Sequence, residues 1–349
     1  MILDAIGAPI VLAPMAGGPS TPELTAAVTE AGGFGILAAG YLSADMLAQR
    51  IAQTRQLTSA RFGVNLFAPG KPTPVEQIAP YLDELAATGA EVGEPRFDDD
   101  DWSAKLDLLV ADPVAVVSFT FGCPSPTEIE RLHAVGSEVW VTVTSTIEAQ
   151  VAVTARADVL IAQGAEAGGH RATFLSRPGD DLTDPIGLIA LMQLLRGTVF
   201  PVPLVASGGI TTGAGLAAAL AAGAAAAQLG SVFMRCPEAG TSAVVRDALT
   251  WGRPTALTRA FTGRWARGIR NRFLDEHTAT APAAYPEIHY ATSPLRQAAR
   301  ESGDGEAVNL WAGQSYQLVK DRPAVEVVQR LVKGCRVSLE AAAKRISPP

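Results

Sequence analysis

Short, nearly unbroken apolar runs recur along the chain at residues 9–13, 33–37, 62–66, 114–119, 139–143, 159–162, 203–206 and 225–229. Apolar runs without polar alternation are expected of strands covered on both faces. Alanine-rich stretches with helical spacing separate most of them. The first such stretch marks its own limits: Ser20 or Thr21 suits the cap, Pro22 the first turn, Glu23 follows Ser20 by three, and Gly32-Gly33 ends it. Its apolar residues Leu24, Ala27, Val28 and Ala31 share a face. Strands and helices in this order predict an α/β chain folded as a (β/α)8 TIM barrel. A doubly wound open sheet is the structural competitor.

Two stretches break the repeat. Residues 69–110 are long and polar, with Pro69, Pro72, Pro74 and the acidic run Asp98 to Asp101; residues 237–321 mix helical pieces, arginines and loops. These excursions are expected to pack together as a smaller lid domain over the barrel mouth. The barrel itself then comprises residues 1–68, 111–236 and 322–349, with an amphipathic helix near residues 323–333 returning to its wall. The acidic run reads as a solvated face rather than a metal site.

Composition narrows the function. The chain has 349 residues, 48% hydrophobic, which is enough for one large barrel core. A formal charge of −7 argues against nucleic acid or a membrane surface as partner. Cys123, Cys236 and Cys335 lie far apart, which suggests neither a disulfide framework nor a zinc site and fits a reducing compartment. No basic leader precedes an apolar run, and the alanine-rich run at 216–227 is too short and too interrupted to span a bilayer. A soluble, cytoplasmic protein is expected.

In a barrel, chemistry collects at the C-terminal ends of the strands. Here those ends carry Met15, Asn65, Thr120, Thr144, Gln163, Ser207 with Gly208 and Gly209, and Gln228-Leu229-Gly230-Ser231. Nearly all are small or bear an amide or hydroxyl. The most informative end runs from Asp158 through Gln163, Gly168 and Gly169 to His170 and Arg171. It delivers an amide, two glycines that permit close approach, and an imidazole able to move a proton. Gly208, Gly209 and Gly230 offer open backbone amides and Ser207 and Ser231 hydroxyls, the composition of a phosphate site after the last two barrel strands. No GxGxxG with an acidic partner follows the first strand, so a mononucleotide fits better than a dinucleotide. A flavin ring would find amide and carbonyl partners at Met15, Asn65 and Gln163.

At this point the residues resemble a known family. Ala13-Pro14-Met15-Ala16-Gly17-Gly18, Phe62 to Phe67, Ile161 to Arg171, Ala206 to Ile210, Gln228 to Ser231, Phe261 to Arg267 and Leu310 to Gln314 are similar to the nitronate monooxygenases, formerly 2-nitropropane dioxygenases. The resemblance runs from about residue 8 to about residue 334. It implies an FMN-dependent flavoprotein oxidoreductase that oxidises alkyl nitronates, with their parent nitroalkanes as a further substrate class, using molecular oxygen to give carbonyl compounds and nitrite. Carried over by position, Asn65, Gln163, Gly168, Gly209 and Gln228 to Ser231 would bind FMN, and His170 would be the active-site histidine. The family more often has threonine where this chain has Ser231, which keeps the hydroxyl. Partners are then a small nitronate and O2, in a monomer or homodimer. The alternative is an NAD(P)H-dependent flavin reductase on the same barrel, either a quinone reductase or an FMN-type enoyl-acyl-carrier-protein reductase; EAGGHR in place of ESGGH favours the monooxygenase. Arg171 reads as an orienting cation. Arg264, Arg267, Tyr290 and Trp311 either meet an anionic substrate or tie the lid to the barrel. His133, His277 and His289 read as surface residues without metal-ligand spacing.

Overall fold

Inward and outward positions alternate along each barrel strand, as strand geometry requires. In the computed structural model, which describes residues 1–175 and 185–346, the barrel strands are β1 (Ile10–Leu12), β2 (Ile36–Ala38), β3 (Gly63–Phe67), β4 (Val116–Thr120), β5 (Glu138–Val143), β6 (Val159–Gln163), β8 (Leu204–Ser207) and β9 (Ala226–Leu229), with the short β7 (Gly169–His170) between β6 and β8. The eight pair in parallel in the order β1-β9-β8-β6-β5-β4-β3-β2. The last seam closes through a bridge between Val11 and Phe34, with Leu12 N donating to Phe34 O at 2.9 Å and Phe34 N to Ile10 O at 2.9 Å. The (β/α)8 barrel expected from the strand pattern is therefore the observed fold.

The inward positions change character along the barrel. Toward the N-terminal end, Val11, Phe34, Val116, Trp140, Val159, Ile161, Val205 and Ala226 form an apolar plug, with Ile2 packed against it. Two residues further along the same faces stand Ser118, Thr142, Gln163, Ser207 and Gln228. Outward residues such as Ile10, Leu12, Leu160 and Ala162 pack against the helices instead. One end of the barrel is thus sealed by hydrocarbon, and the other presents polar groups.

Local chemistry sets the helix starts. Thr21, rather than Ser20, caps the helix Pro22–Glu30 by accepting from Leu24 N at 3.0 Å. Ser20 accepts from Met15 N at 2.8 Å and so shapes the loop after β1. The returning helix is longer than expected, Ala324–Ile346, and buries Val327, Val328, Leu331 and Cys335. No described helix is long and apolar enough to cross a membrane.

A second sheet lies beyond the barrel strands: β10 (Thr255–Thr258), β11 (Ala266–Ile269) and β7 run antiparallel in that order. The segment after β6 is thus partly a strand, with His170 paired to Ala266 and Gly169 to Arg267. The 69–110 stretch divides. Ile78, Tyr81 and Leu85 share a core with Phe261, Phe273 and Ile288, whereas Leu106 and Leu109 of the helix Trp102–Ala111 belong to the barrel core.

The acidic run is only in part the solvated face expected of it: Asp99 and Asp101 are exposed, whereas Asp98 and Asp100 are half-buried. Asp100 forms an ion pair with Lys105 at 2.8 Å, their side chains only 15% and 1% exposed. Asp100 also accepts from Tyr41 N at 2.7 Å, Asp98 from Tyr290 Oη at 2.9 Å, and Asp101 from Ala44 N at 3.1 Å. The run is a clasp that binds residues 98–101 to the chain after β2. Asp100 and Asp101 are engaged because the backbone after β2 offers amides that need acceptors.

Candidate active site

The polar ends of the barrel strands and the overlying sheet enclose a cavity of about 420 Å³. Small-molecule sites typically span about 300–1,000 Å³. Each strand-end residue singled out above as a cofactor contact lines it, as does His170: Met15, Asn65, Gln163, Gly168, Ser207, Gly208, Gly209, Gln228, Leu229, Gly230 and Ser231. They converge because parallel strands bring their C-terminal ends to one rim.

Gly168 is needed for a reason the sequence did not suggest. A Cβ there would stand 2.4 Å from Gly313 N, so the absent side chain admits the 312–313 backbone. Gly169, at φ +75°, faces open space and keeps the clearance expected of it.

Gln163 anchors the chain after it, with Nε2 donating to His170 O at 3.0 Å and Oε1 accepting from Ala172 N at 2.9 Å. Arg171, 2% exposed, donates to the carbonyls of Gly164 at 2.5 Å and Gln163 at 3.1 Å. Arg264 donates Nε to Arg171 O at 3.1 Å and also reaches Thr173 O. Its guanidinium lies 4.0 Å over the Phe121 ring. Arg267 donates to Ala165 O at 2.9 Å. Arg264 and Arg267 therefore tie the outer sheet to the segment after β6, Trp311 lines the cavity, and Tyr290 bonds to Asp98.

His170 sits among Phe121, Tyr285 and Trp311, with ring centroids 5.5–5.7 Å away. Its Nε2 is 2.9 Å from Thr262 Oγ1. Burial, reinforced by the positive charges of Arg264 and Arg296, pulls the imidazole down to about 3, so it is neutral at physiological pH.

Several lining residues come from segments that showed no signal in the sequence: Tyr41, His289, Arg296, Arg300 and Asn309; Thr262 lines the cavity from within the Phe261–Arg267 stretch. His289 is not a surface residue: it stacks on Tyr41 at 4.1 Å and 2°, and burial first, then Arg296, hold it well below the usual imidazole range. His277 is likewise buried, 2.7 Å from Glu84. His133 is half-buried and bonded to Asp158 at 2.8 Å. Arg296 bonds to Thr292 Oγ1 at 3.0 Å and His289 O at 2.6 Å, so its cation is held by neutral groups. Burial brings it down to about 10, which leaves it charged at neutral pH.

The donor set suits a flavin. Gln228 Nε2 is buried in the cavity wall with no protein acceptor, and leaving such a donor unmet costs about 1–3 kcal/mol. The backbone amides of Gly208, Gly209, Gly230 and Ser231 stand along the same rim and donate to no acceptor among the described residues. That cluster is chemically a seat for an anion. No group of His, Cys, Asp and Glu among the described residues is arranged to hold a metal.

A parallel barrel with a flavin-compatible cavity and a neutral histidine in its wall defines a class, the barrel flavoenzymes. Residues 2–334 match the family profile described as nitronate monooxygenase. The chain is 41% identical to the nitronate monooxygenase of Pseudomonas aeruginosa, covering 96% of this chain and 98% of that protein. It is 35% identical to a probable nitronate monooxygenase of Staphylococcus aureus, covering 93% of each. Among solved structures it resembles nitroalkane oxidase from Streptomyces ansochromogenes, with a TM-score of 0.94 and 45% identity over 98% of this chain and 99% of that one. FabK from Thermotoga maritima gives a TM-score of 0.73 and 27% identity over 99% and 98%. This chain belongs to the nitronate monooxygenase family, and is a flavin-dependent oxidoreductase.

Proposed function

We propose that the chain oxidises small alkyl nitronates with molecular oxygen to a carbonyl compound and nitrite, with FMN as resident cofactor. The observation that carries this reading is a neutral His170 and a cationic Arg296 lining one cavity. A cation at the wall favours an anionic substrate, and a neutral imidazole neither repels nor titrates beside it.

The amides of Gly208, Gly209, Gly230 and Ser231 would hold the FMN phosphate. Met15, Asn65, Gln163, Gln228 and Leu229 would line the ring and sugar chain, with Ser207 and Gly168 at their junction. Bound FMN supplies the electron acceptor for the substrate and the site of reaction with oxygen. The protein's own groups do the rest. Arg296 attracts the nitronate oxygens, and Phe121, Tyr285 and Trp311 around His170 keep water away. With a neutral nitroalkane, the unprotonated ring nitrogen of His170 would take the α-proton. Residues 69–110 and 237–321, apart from the helix Trp102–Ala111, would act as a lid.

The test is oxygen consumption with an alkyl nitronate against anaerobic bleaching with NADH, on one purified yellow sample. Rapid oxygen uptake with stoichiometric nitrite, and a flavin spectrum that NADH leaves unchanged, are expected. Rapid bleaching by NADH without nitronate turnover would instead establish a flavin reductase. With a neutral nitroalkane as substrate, His170→Asn should keep the flavin yet lose about 10²-fold or more in kcat, the usual range for a lost acid–base group.

A further inference from the structure

The proton on His170 is governed by one hydroxyl. Thr262 is 1% exposed, in the turn between β10 and β11. Its Oγ1 has three polar neighbours: His170 Nε2 at 2.9 Å, Arg264 O at 3.2 Å and Arg264 N at 3.4 Å. A hydroxyl donates one proton and accepts two bonds. The Arg264 amide has only a proton to offer, so it donates. The hydroxyl proton then goes either to Arg264 O or to His170 Nε2.

These two arrangements are not equivalent. When the hydroxyl donates to Arg264 O, an Nε2–H donates to Oγ1 and all three contacts are made at once. When it donates to Nε2, the Arg264 carbonyl faces a bare oxygen, and the ring hydrogen moves to Nδ1. The described residues offer no acceptor for an Nδ1–H. Setting the Arg264 carbonyl against an oxygen lone pair, with no hydrogen between them, is the costlier choice.

We propose that Thr262 is a positioning residue that holds His170 in the Nε2–H tautomer, leaving Nδ1 as the unprotonated nitrogen presented to a ligand. Its catalytic consequence rests on the nitronate reading above; the tautomer itself does not. The turn that carries Thr262 is held in shape by its own backbone, since Thr262 N and Gly263 N both donate to Arg259 O, at 3.1 and 2.8 Å. The same turn carries Arg264, so one short segment sets both the hydrogen position and the field around the ring.

The experiment uses the flavin-loaded protein with ¹⁵N-labelled histidine rings. The His170 resonances are assigned by their disappearance in His170→Asn. In the wild type, Nε2 should resonate as a protonated and Nδ1 as an unprotonated nitrogen. Thr262→Val should shift the pair toward a mixture or the opposite tautomer. It should also lower kcat about tenfold while KM moves less than about threefold, as expected when a transition-state group is misplaced. Thr262→Ser should restore both readouts. A wild-type ring protonated at Nδ1 would overturn the proposal, and that spectrum decides even if Thr262→Val fails to fold. So would a folded Thr262→Val protein with the wild-type tautomer and turnover. If the tautomer is as proposed but nitronates are not oxidised, the functional reading falls and the assignment of the ring stands.

Discussion

At the scale of single side chains, the decisive group is an imidazole made neutral by its surroundings. His170 at about 3 lies below the ordinary histidine value of about 6.5. The unfolded chain therefore binds the extra proton first as pH falls between those values. The contribution of His170 to stability is complete above about pH 6.5 and declines toward pH 3. Urea unfolding of wild type and His170→Asn at about pH 7 and pH 4.5 should show the difference shifting toward the variant at the lower pH. An unchanged difference would mean the imidazole titrates normally. His170 and Gln163 were visible in the sequence because they end an apolar run abruptly. His289 and Arg296 were not, since they lie in helical segments whose spacing says nothing about what faces the cavity, and Thr262 was marked only as part of a resembling segment, without a role.

At the scale of elements, the clasp at residues 98–101 shows how an inserted segment shapes the wall of the site. Asp100 holds Tyr41 N, and Tyr41 stacks on His289 in the cavity. Burial outweighs the neighbouring Lys105 and pushes the Asp100 carboxyl up to about 6. Lys105, which also donates to Ala39 O at 3.0 Å, is the counter-charge that makes the buried carboxylate tolerable. Lys105→Met should destabilise the fold by about 3–5 kcal/mol at neutral pH, the usual cost of leaving a buried charge alone. Lys105 holds that carboxyl down, so its removal raises it further, and part of the loss should return as pH falls from the alkaline side toward about 6. Denaturant unfolding across that range checks both statements; a loss under about 1 kcal/mol would show the pair to be a surface-type ion pair. The barrel strands were readable from the sequence to within a few residues, because two-sided burial leaves an unbroken apolar run. The strands β7, β10 and β11 were not, since each is short and mixes small, polar and charged residues.

At the scale of the whole molecule, the final helix closes the barrel wall and then outruns it. Its last buried residue is Cys335, and residues 336–346 are exposed or half-buried. Deleting residues 337–349 should leave thermal stability and flavin content nearly unchanged. Leu331→Ala, by contrast, should cost about 2–5 kcal/mol, the range for a truncated core leucine. Circular-dichroism melts of the two variants make the comparison, and a large loss in the truncated chain would show that the exposed end of the helix supports the fold.

Periodicity alone determined that this chain forms a parallel α/β sheet with polar strand ends; closure into a barrel with one rim was its leading expectation, which the Val11–Phe34 seam decided. Burial on both faces demands continuous apolar runs, and inward positions can turn polar only where the barrel opens. The sequence also placed Gly208, Gly209, Gly230 and Ser231 at that rim, since open amides need small residues. Only the tertiary structure decided how His170 is protonated, which cations face it, and that Gly168 makes room for backbone. Those properties arise between residues about 90–145 positions apart, where desolvation and single hydrogen bonds act through space and leave no pattern along the chain.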